Sequence, residues 1–214
     1  MLCVLARVPS PGEGKSRLRA ALGDANTDRL ARALVEDVLT WSAAAADALL
    51  VAHTGPASLL PTTTPRQITI PQVDGDLGKR IAAAVDAGFE RGAGRVVIVG
   101  SDCPTLPAAL LSSAFSGLSI APSTLIPATD GGWIALGVDR PLGTTLRGVT
   151  WSSSATGRQT VAALRSDGRA PLVLSPWYDV DEPGDVIRLR ADRAGLSGAP
   201  RTAAALSEMR AGVR

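Results

Sequence analysis

The sequence predicts an α/β protein of three layers, with helices on both faces of a mostly parallel, mixed sheet. Three observations predict it. Apolar runs of strand length alternate with amphipathic segments of helix length along most of the chain. The stretch "TLIPATDGGWIALGV" breaks that alternation, because it reads as two strands joined by a glycine turn with no helix between them, which adds an antiparallel excursion. Finally, 214 residues with 45% hydrophobic content suffice for one continuous core, so the whole chain is expected to be a single domain with a short helical tail over about 194–214.

The strands are read as "LCVLARV", "ALLVAH", "QITI", "RVVIVG", "TLIPA", "WIALGV" and "PLVLS". A first helix is expected from 28 to about 45, where Leu30, Leu34 and Val38 recur at helical spacing behind the capping candidates Asn26 and Thr27. A second runs over 77–91 and is closed by Gly92 and Gly94; a third starts near Pro107. A fourth follows "WSSSATGRQ", with the serines as caps and Gly168 as its end. Two short helices are expected over 185–193 and 201–209, with "GLSGAPR" a loop between them.

Composition removes several classes of function. Lys and Arg number 22 against 20 Asp and Glu, a formal charge of +2 with no basic block, which excludes an ordinary nucleic-acid binder. Seven aromatics (four Trp, one Tyr, two Phe) are too few for a base-stacking surface. One histidine, His53, and two cysteines, Cys3 and Cys103, cannot build a His/Cys zinc centre, so any metal must be held by oxygen. Both cysteines abut apolar runs and are expected as buried, reduced thiols, which favours the cytoplasm. The opening "MLCVLARVP" reads as a strand rather than a signal peptide, and no run reaches the ~18 apolar residues that span a bilayer.

In sheets of this kind ligands bind outside the carboxyl ends of the strands. After the first strand comes "ARVPSPGEGKSRL", where Gly12 and Gly14 permit tight turns and close approach of amides to an anion, while Lys15 and Arg17 bring two cations. The tail GKS is that of a phosphate loop, but the first glycine of that motif falls at Pro9, which has no amide hydrogen and a fixed φ. A dinucleotide fingerprint fails too, since Arg17 stands where a third glycine is needed. "RVVIVGSDCPTL" delivers Ser101 and Asp102 to the end of an apolar strand, where Asp102 either holds Mg²⁺ beside a polyphosphate or caps the following turn. In "PWYDVDEPGDV", Asp179 and Asp181 alternate, so an extended backbone points both the same way, as two carboxylates on one hard cation require; Asp181, Glu182 and Pro183 also read as an ordinary helix start. Lys79 and Arg80 of "QVDGDLGKRI" oppose the dipole of the helix they begin, and so call for an anion. Asp130, Gly131 and Gly132 form the turn between two strands, which needs no function.

In this order the segments "ARVPSPGEGKSRL", "DGDLGKRI", "GSDCPTL", "ATDGGWIALG", "GVTWSSS" and "DVDEPGDV" resemble the nucleotide-diphospho-sugar transferase superfamily of GT-A fold. The resemblance spans nearly residues 1–190, is nearest to its bacterial glycosyltransferase A type branch, and extends to 2-phospholactate-type and molybdenum-cofactor guanylyltransferases. It implies a Mg²⁺-dependent transferase, Mn²⁺ being a possible substitute, acting on a nucleoside triphosphate or a nucleotide sugar and a small-molecule acceptor. Lys15 and Arg17 would hold phosphates and act with Asp102 in catalysis, and Asp102, Asp179 and Asp181 would be metal ligands. Ala6, Arg7, Pro9, Gly12, Gly14, Gly78, Arg80 and Ser101 would complete the nucleotide site, and Asp130, Gly131 and Gly132 would meet the acceptor. Ser16 replaces the commoner threonine, and "DEPGDV" replaces "DTPEDL".

Nucleotidyl transfer to a phosphate or phosphonate acceptor is the leading expectation, because a triphosphate needs more positive charge than Lys15 and Arg17 would have to supply for a nucleotide sugar. Glycosyl transfer from a nucleotide sugar is the alternative, and a nucleotide-binding domain without turnover is a third. No nucleic-acid partner and no membrane insertion are expected.

Overall fold

The structure is a computed structural model and describes residues 1–211; residues 212–214 of the expected tail lie outside the described residues. Strands β1 (Leu2–Arg7), β2 (Leu49–Thr54), β3 (Gln67–Pro71), β4 (Val96–Gly100), β5 (Ser123–Pro127), β6 (Trp133–Val138) and β7 (Pro171–Val173) form one sheet in the order β3-β2-β1-β4-β6-β5-β7. All pairs are parallel except those of β6, which runs antiparallel to β4 and β5. The expected excursion is therefore present. β7 keeps only three residues of "PLVLS", and the chain then leaves the sheet edge with a single bridge between Ala128 and Trp177.

Helices α1 (Ser16–Leu22), α2 (Asp24–Ala45), α3 (Leu77–Glu90), α4 (Ala108–Gly117), α5 (Thr156–Ser166), α6 (Pro183–Ala191), α7 (Arg193–Ser197) and α8 (Pro200–Ala211) complete the fold. Alternation along the strands sorts their side chains onto two faces. Leu2, Val4 and Ala6 pack on one face with Val35 and Val38 of α2 and Leu111 of α4, and Cys3 turns to the other with Ile81 and Val85 of α3 and Leu164 of α5. None of the helices among the described residues is long and apolar enough to cross a membrane.

The sequence reading needs four corrections. α1 carries a single buried residue, Leu18, and one buried position gives no helical period to read. α2 starts at Asp24 behind Gly23 at φ 74°, so Asn26 and Thr27 lie inside its first turn and donate back to the Leu22 and Gly23 carbonyls rather than capping. α6 starts at Pro183, because Glu182 and Asp185 form a reciprocal capping box. The segment read as a loop contains α7, whose start is capped by Asp192 accepting from Gly195 N–H at 2.8 Å.

A third apolar cluster, distinct from the two faces of the sheet, fixes the site described below. Leu18 of α1, Leu30 and Leu34 of α2, Tyr178, Val180, Val186 and Leu189 of the β7–α6 region, and Leu206 and Met209 of α8 pack together. Asp37 locks α8 onto α2: its buried carboxylate accepts from the backbone N–H groups of Thr202 at 2.7 Å and Arg201 at 3.3 Å, which as first-turn residues have no helical partner. A charge-assisted bond of this kind is worth about 1.5–3 kcal/mol. Asp37→Ala is expected to lower stability by about 2–3 kcal/mol in urea unfolding, with Asp37→Asn recovering part of it; an unchanged midpoint would show that α8 is not held by this cap.

Candidate active site

The loop between β1 and α1 is bent by three residues in the left-handed region, Gly12 at φ 77°, Gly14 at φ 69° and Lys15 at φ 42°. Arg19 of α1 holds it there. Its Nε donates to the Gly14 carbonyl at 2.9 Å, and the same guanidinium reaches the Glu13 carbonyl and the Asp28 carboxylate. Asp28 in turn accepts from Gly12 N–H at 3.1 Å, and the Arg19 guanidinium, followed by that N–H, keeps its carboxyl below the usual range against the effect of burial. The expectation that Gly12 offers its amide to phosphate is thus corrected: a carboxylate from α2 already takes it.

Lys15 carries the centre of the site. Its ammonium lies 2.8 Å from Asp102 Oδ1 at the end of β4, 2.9 Å from Asp181 Oδ1, and donates to the Val180 carbonyl at 2.8 Å. Burial opposes its charge, but Asp102 and then Asp181 more than offset that, and the lysine stays protonated. The period of two after β7 works as expected: Tyr178 and Val180 face the third apolar cluster, while Asp179 and Asp181 face the cleft. Val180 N–H donates to the Asp102 carbonyl at 2.9 Å, stitching this segment to the end of β4. Arg17 does not stand free for an anion but pairs with Glu182 at 2.6 Å.

Asp179 feels the acid crowd most strongly. Burial first, then Asp181, Asp130 and Asp102, push it up to about 7. Carboxylate oxygens in that number suit a hard divalent cation such as Mg²⁺. Even so, among the described residues no three His, Cys, Asp or Glu side chains are gathered to hold one ion. The expected three-carboxylate centre of Asp102, Asp179 and Asp181 is not assembled as it stands, because Asp102 and Asp181 each spend an oxygen on Lys15.

Three cavities meet here. A polar cleft of about 580 Å³ is lined by Arg7, Lys15 and Arg17 of the β1–α1 region, by Ser152, Ser153 and Ser154, and by Asp130, Asp181 and Glu182. A smaller one of about 170 Å³ continues past Pro9, Gly14, Ser101 and Asp102, and a third of about 220 Å³ opens beyond Asp130, Asp179 and Asp181. Another cavity, of about 780 Å³, lies near Met1, Ala44 and Phe115, and none of the acids of the cleft lines it.

The serine wall is built by close packing against the turn after β5. Gly131, at φ 97°, leaves no room for a side chain, since a Cβ there would overlap the Ser154 carbonyl, and Gly157 N–H donates to the Gly131 carbonyl at 2.8 Å. Asp130 folds the turn by accepting from Gly132 N–H at 2.8 Å. Ser152 sits at φ 56°, a second non-glycine left-handed residue on the same cleft as Lys15. The serines were expected only as caps of α5. In fact α5 has Ala155 at its cap with no side-chain bond, and Ser153 Oγ accepts from Ala155 N–H at 3.1 Å.

Of the sequence-derived site residues, the structure brings Arg7, Pro9, Gly14, Lys15, Arg17, Ser101, Asp102, Asp130, Gly132, Asp179 and Asp181 to the walls of these cavities. Gly131 lies behind the wall. Ala6 is buried inside β1, with its carbonyl accepting from Gln72 Nε2 at 3.2 Å. Gly78 is buried beneath Trp151, and Arg80 turns its Nε to the Gly75 carbonyl at 3.0 Å and lines none of the three cavities. Residues missed by the reading are Arg19, Trp133, Trp151 and the three serines. Two of the four tryptophans stand in the segments "DGGW" and "TWSSS", which was a usable signal; the clamp by Arg19 left none.

Residues 24–153 match the family described as an uncharacterized protein conserved in bacteria, DUF2064. The chain belongs to this family. The match covers Asp102, Asp130, Ser152 and Ser153, and leaves Lys15, Ser154, Asp179 and Asp181 of this DUF2064 chain outside it. No curated protein matches. A crystal structure from Desulfovibrio desulfuricans G20, named as a candidate nucleotide-diphospho-sugar transferase, is 25% identical over 97% of this chain and 96% of its own, with a TM-score of 0.81. The CTP complex of CMP:2-keto-3-deoxy-manno-octonic acid synthetase (11% identity, 90% and 97% coverage, TM-score 0.54) is similar in fold. So is 4-diphosphocytidyl-2C-methyl-D-erythritol synthase (15%, 89% and 97%, 0.57). The fold is that of the nucleotide-diphospho-sugar transferases.

Gly131→Ala is expected to cost about 2–3 kcal/mol in chemical unfolding, since it adds positive-φ strain and a backbone overlap; a neutral effect would mean the serine wall is not set by this packing. Burial pushes the Cys3 thiol up to about 12 and, with Asp102 and Asp179 adding repulsion, raises Cys103 as well. Both should resist a thiol-specific disulfide reagent in the native protein and react together on unfolding. Early reaction of Cys103 alone would show that the floor beneath Asp102 opens in the folded state.

Proposed function

We propose that the protein is a nucleotidyltransferase that joins a nucleoside monophosphate from a nucleoside triphosphate to a small phosphorylated or phosphonate acceptor. The polar cleft carries this reading: three cations, Arg17 among them already paired with Glu182, share a space of about 580 Å³ with three serines and with carboxylates. Anionic oxygens entering there would meet Arg7, Lys15 and Arg17, and the serine hydroxyls would bond them as well. An acceptor phosphate oxygen would attack the α-phosphorus, and the bond to the bridging oxygen would break with its electron pair leaving on pyrophosphate. Such an oxygen is already anionic, so no general base is needed. His53 fits that account, since its ring is bonded to the Gly55 carbonyl and lines none of the three cavities.

Asp102 and Asp181, with Asp179 behind them, would hold Mg²⁺, which when bound supplies positive charge to the phosphates. Lys15 is the counter-charge these carboxylates have without it. Its transfer to a phosphate would keep every charge paired: the ammonium gains an anionic oxygen as the carboxylates gain the ion. The names of the structural relatives support transfer from nucleotides, and the Desulfovibrio protein resembles this chain over nearly its whole length.

Purified protein with Mg²⁺, each nucleoside triphosphate in turn and a panel of phosphorylated acceptors should release pyrophosphate. Release of nucleoside diphosphate from a nucleotide sugar would instead establish glycosyl transfer, and nucleotide binding without product would establish a silent domain. Lys15→Ala is expected to lower kcat/KM by at least about 100-fold with circular dichroism unchanged. Near-normal turnover in that variant would remove Lys15 from the chemistry.

A further inference from the structure

The cavity of about 220 Å³ differs in chemistry from the cleft it joins. It shares Asp130, Asp181, Ser152 and Ser153 with the polar cleft, whereas the rest of its lining is mostly apolar, Leu5, Ile81, Ile98, Trp133 and Trp151 with Leu77 38% exposed, and Asp179 is the acid that it does not share. The two indoles are built in. Trp133 and Trp151 meet edge to face, with centroids 6.4 Å apart at 73°, and Trp133 Nε1 donates to Thr160 Oγ1 at 3.3 Å. Trp151 lies over Gly78 in the first turn of α3; a Cβ there would come within 2.9 Å of the indole, so the helix gives up a side chain to seat it.

A cavity of about 150 Å³ lined by apolar side chains is enough to take a benzene ring, so this one holds a single ring or a short branched chain. A nucleobase is a poor occupant. Its edge carries donors and acceptors, and Leu5, Leu77, Ile81 and Ile98 offer nothing to pair with them; the Thr156 hydroxyl is already bonded to the Thr150 and Ser153 carbonyls, at 2.8 Å each, which leaves the acids Asp130, Asp179 and Asp181 and the hydroxyls of Ser152 and Ser153 as the polar side chains of the lining. Planar or branched hydrocarbon, by contrast, loses nothing on entering and gains the faces of two indoles.

We infer that this cavity is the acceptor pocket and that the acceptor is a small amphiphile, an apolar ring or branched-chain body carrying a phosphate or phosphonate end. The inference rests on the nucleotidyl-transfer reading for the role of the anionic end, which reaches Ser152, Ser153 and Lys15 in the polar cleft. The body sets specificity through Trp151, and the triphosphate occupies the polar side.

The test is a binding series by calorimetry on the intact protein with Mg²⁺ and a non-hydrolysable triphosphate analogue, using methylphosphonate, phenylphosphonate and glycerol 3-phosphate. Phenylphosphonate should bind at least about 10-fold tighter than either of the others, a discrimination of the size that apolar pockets achieve. That preference should fall to within about 3-fold in Trp151→Ala and largely survive in Trp151→Phe. Equal binding of the methyl and phenyl compounds to the unaltered protein, a measurement that needs no variant, would overturn the inference. Displacement of phenylphosphonate by unphosphorylated nucleosides would overturn it too, by giving the pocket to the base. The two readings fail separately. Pyrophosphate release with polar acceptors alone sinks the amphiphile and keeps the transferase, whereas phenyl preference without triphosphate turnover sinks the transferase and keeps the pocket.

Discussion

One ammonium group ties the cleft together. Lys15, Asp102 and Asp181 come from three distant parts of the chain, and they meet with the ammonium 2.8 Å from one carboxylate and 2.9 Å from the other. The carboxylates alone would repel, and beside them burial first, with Asp181, Asp130 and Asp102 adding to it, pushes Asp179 up to about 7. The lysine answers that repulsion only because its backbone is fixed. Leu18, three residues on, is fully buried against Val180 and Tyr178, and Arg19 clamps the carbonyls just before it. Apolar packing thus brings the segments into reach and the charge pairing sets their final distance.

The cleft holds its strain at two points. Lys15 and Ser152 are the two non-glycine residues with positive φ among the described residues, and both line the polar cavity. Each such residue costs on the order of 1–2 kcal/mol, so each must be over-determined by its surroundings. For Lys15 the surroundings are Arg19 and the two carboxylates; two residues after Ser152, Ser154 packs backbone against backbone on Gly131, which Gly157 bonds in turn. Rigid walls with polar groups are what an anionic ligand needs to be held in one register. In the adjoining cavity the lining is mostly tryptophan and aliphatic side chains, so the same loop, 151–154, gives serines to both cavities and Trp151 to that one alone.

Much of this was legible in the sequence where the signal was local. Seven apolar runs became seven strands, the glycine-joined pair became the antiparallel excursion, and the alternation of Tyr178, Asp179, Val180 and Asp181 sorted core from cleft. Asp102 emerges at the end of β4 because any residue following a buried parallel strand must leave the sheet there. Arg80, Gly12 and Ala6 came out differently for non-local reasons. Arg80 folds back on Gly75, Asp28 takes the Gly12 amide, and Ala6 stays buried in the ladder opposite His53 of β2. Helix α1 was hidden since Leu18 is its single buried residue, and one point has no period.

The sequence by itself determined the sheet, the order of its layers and the places where charged residues leave it, because strand and helix periods and glycine turns act over a few residues. Only the tertiary structure decided that Lys15 pairs with carboxylates more than eighty and more than a hundred and sixty positions away, that Gly131 makes room for Ser154, and that Gly78 makes room for Trp151. Those are contacts between segments with no sequence proximity, fixed by how three apolar clusters close on one another, and nothing in a local pattern encodes which surfaces will meet.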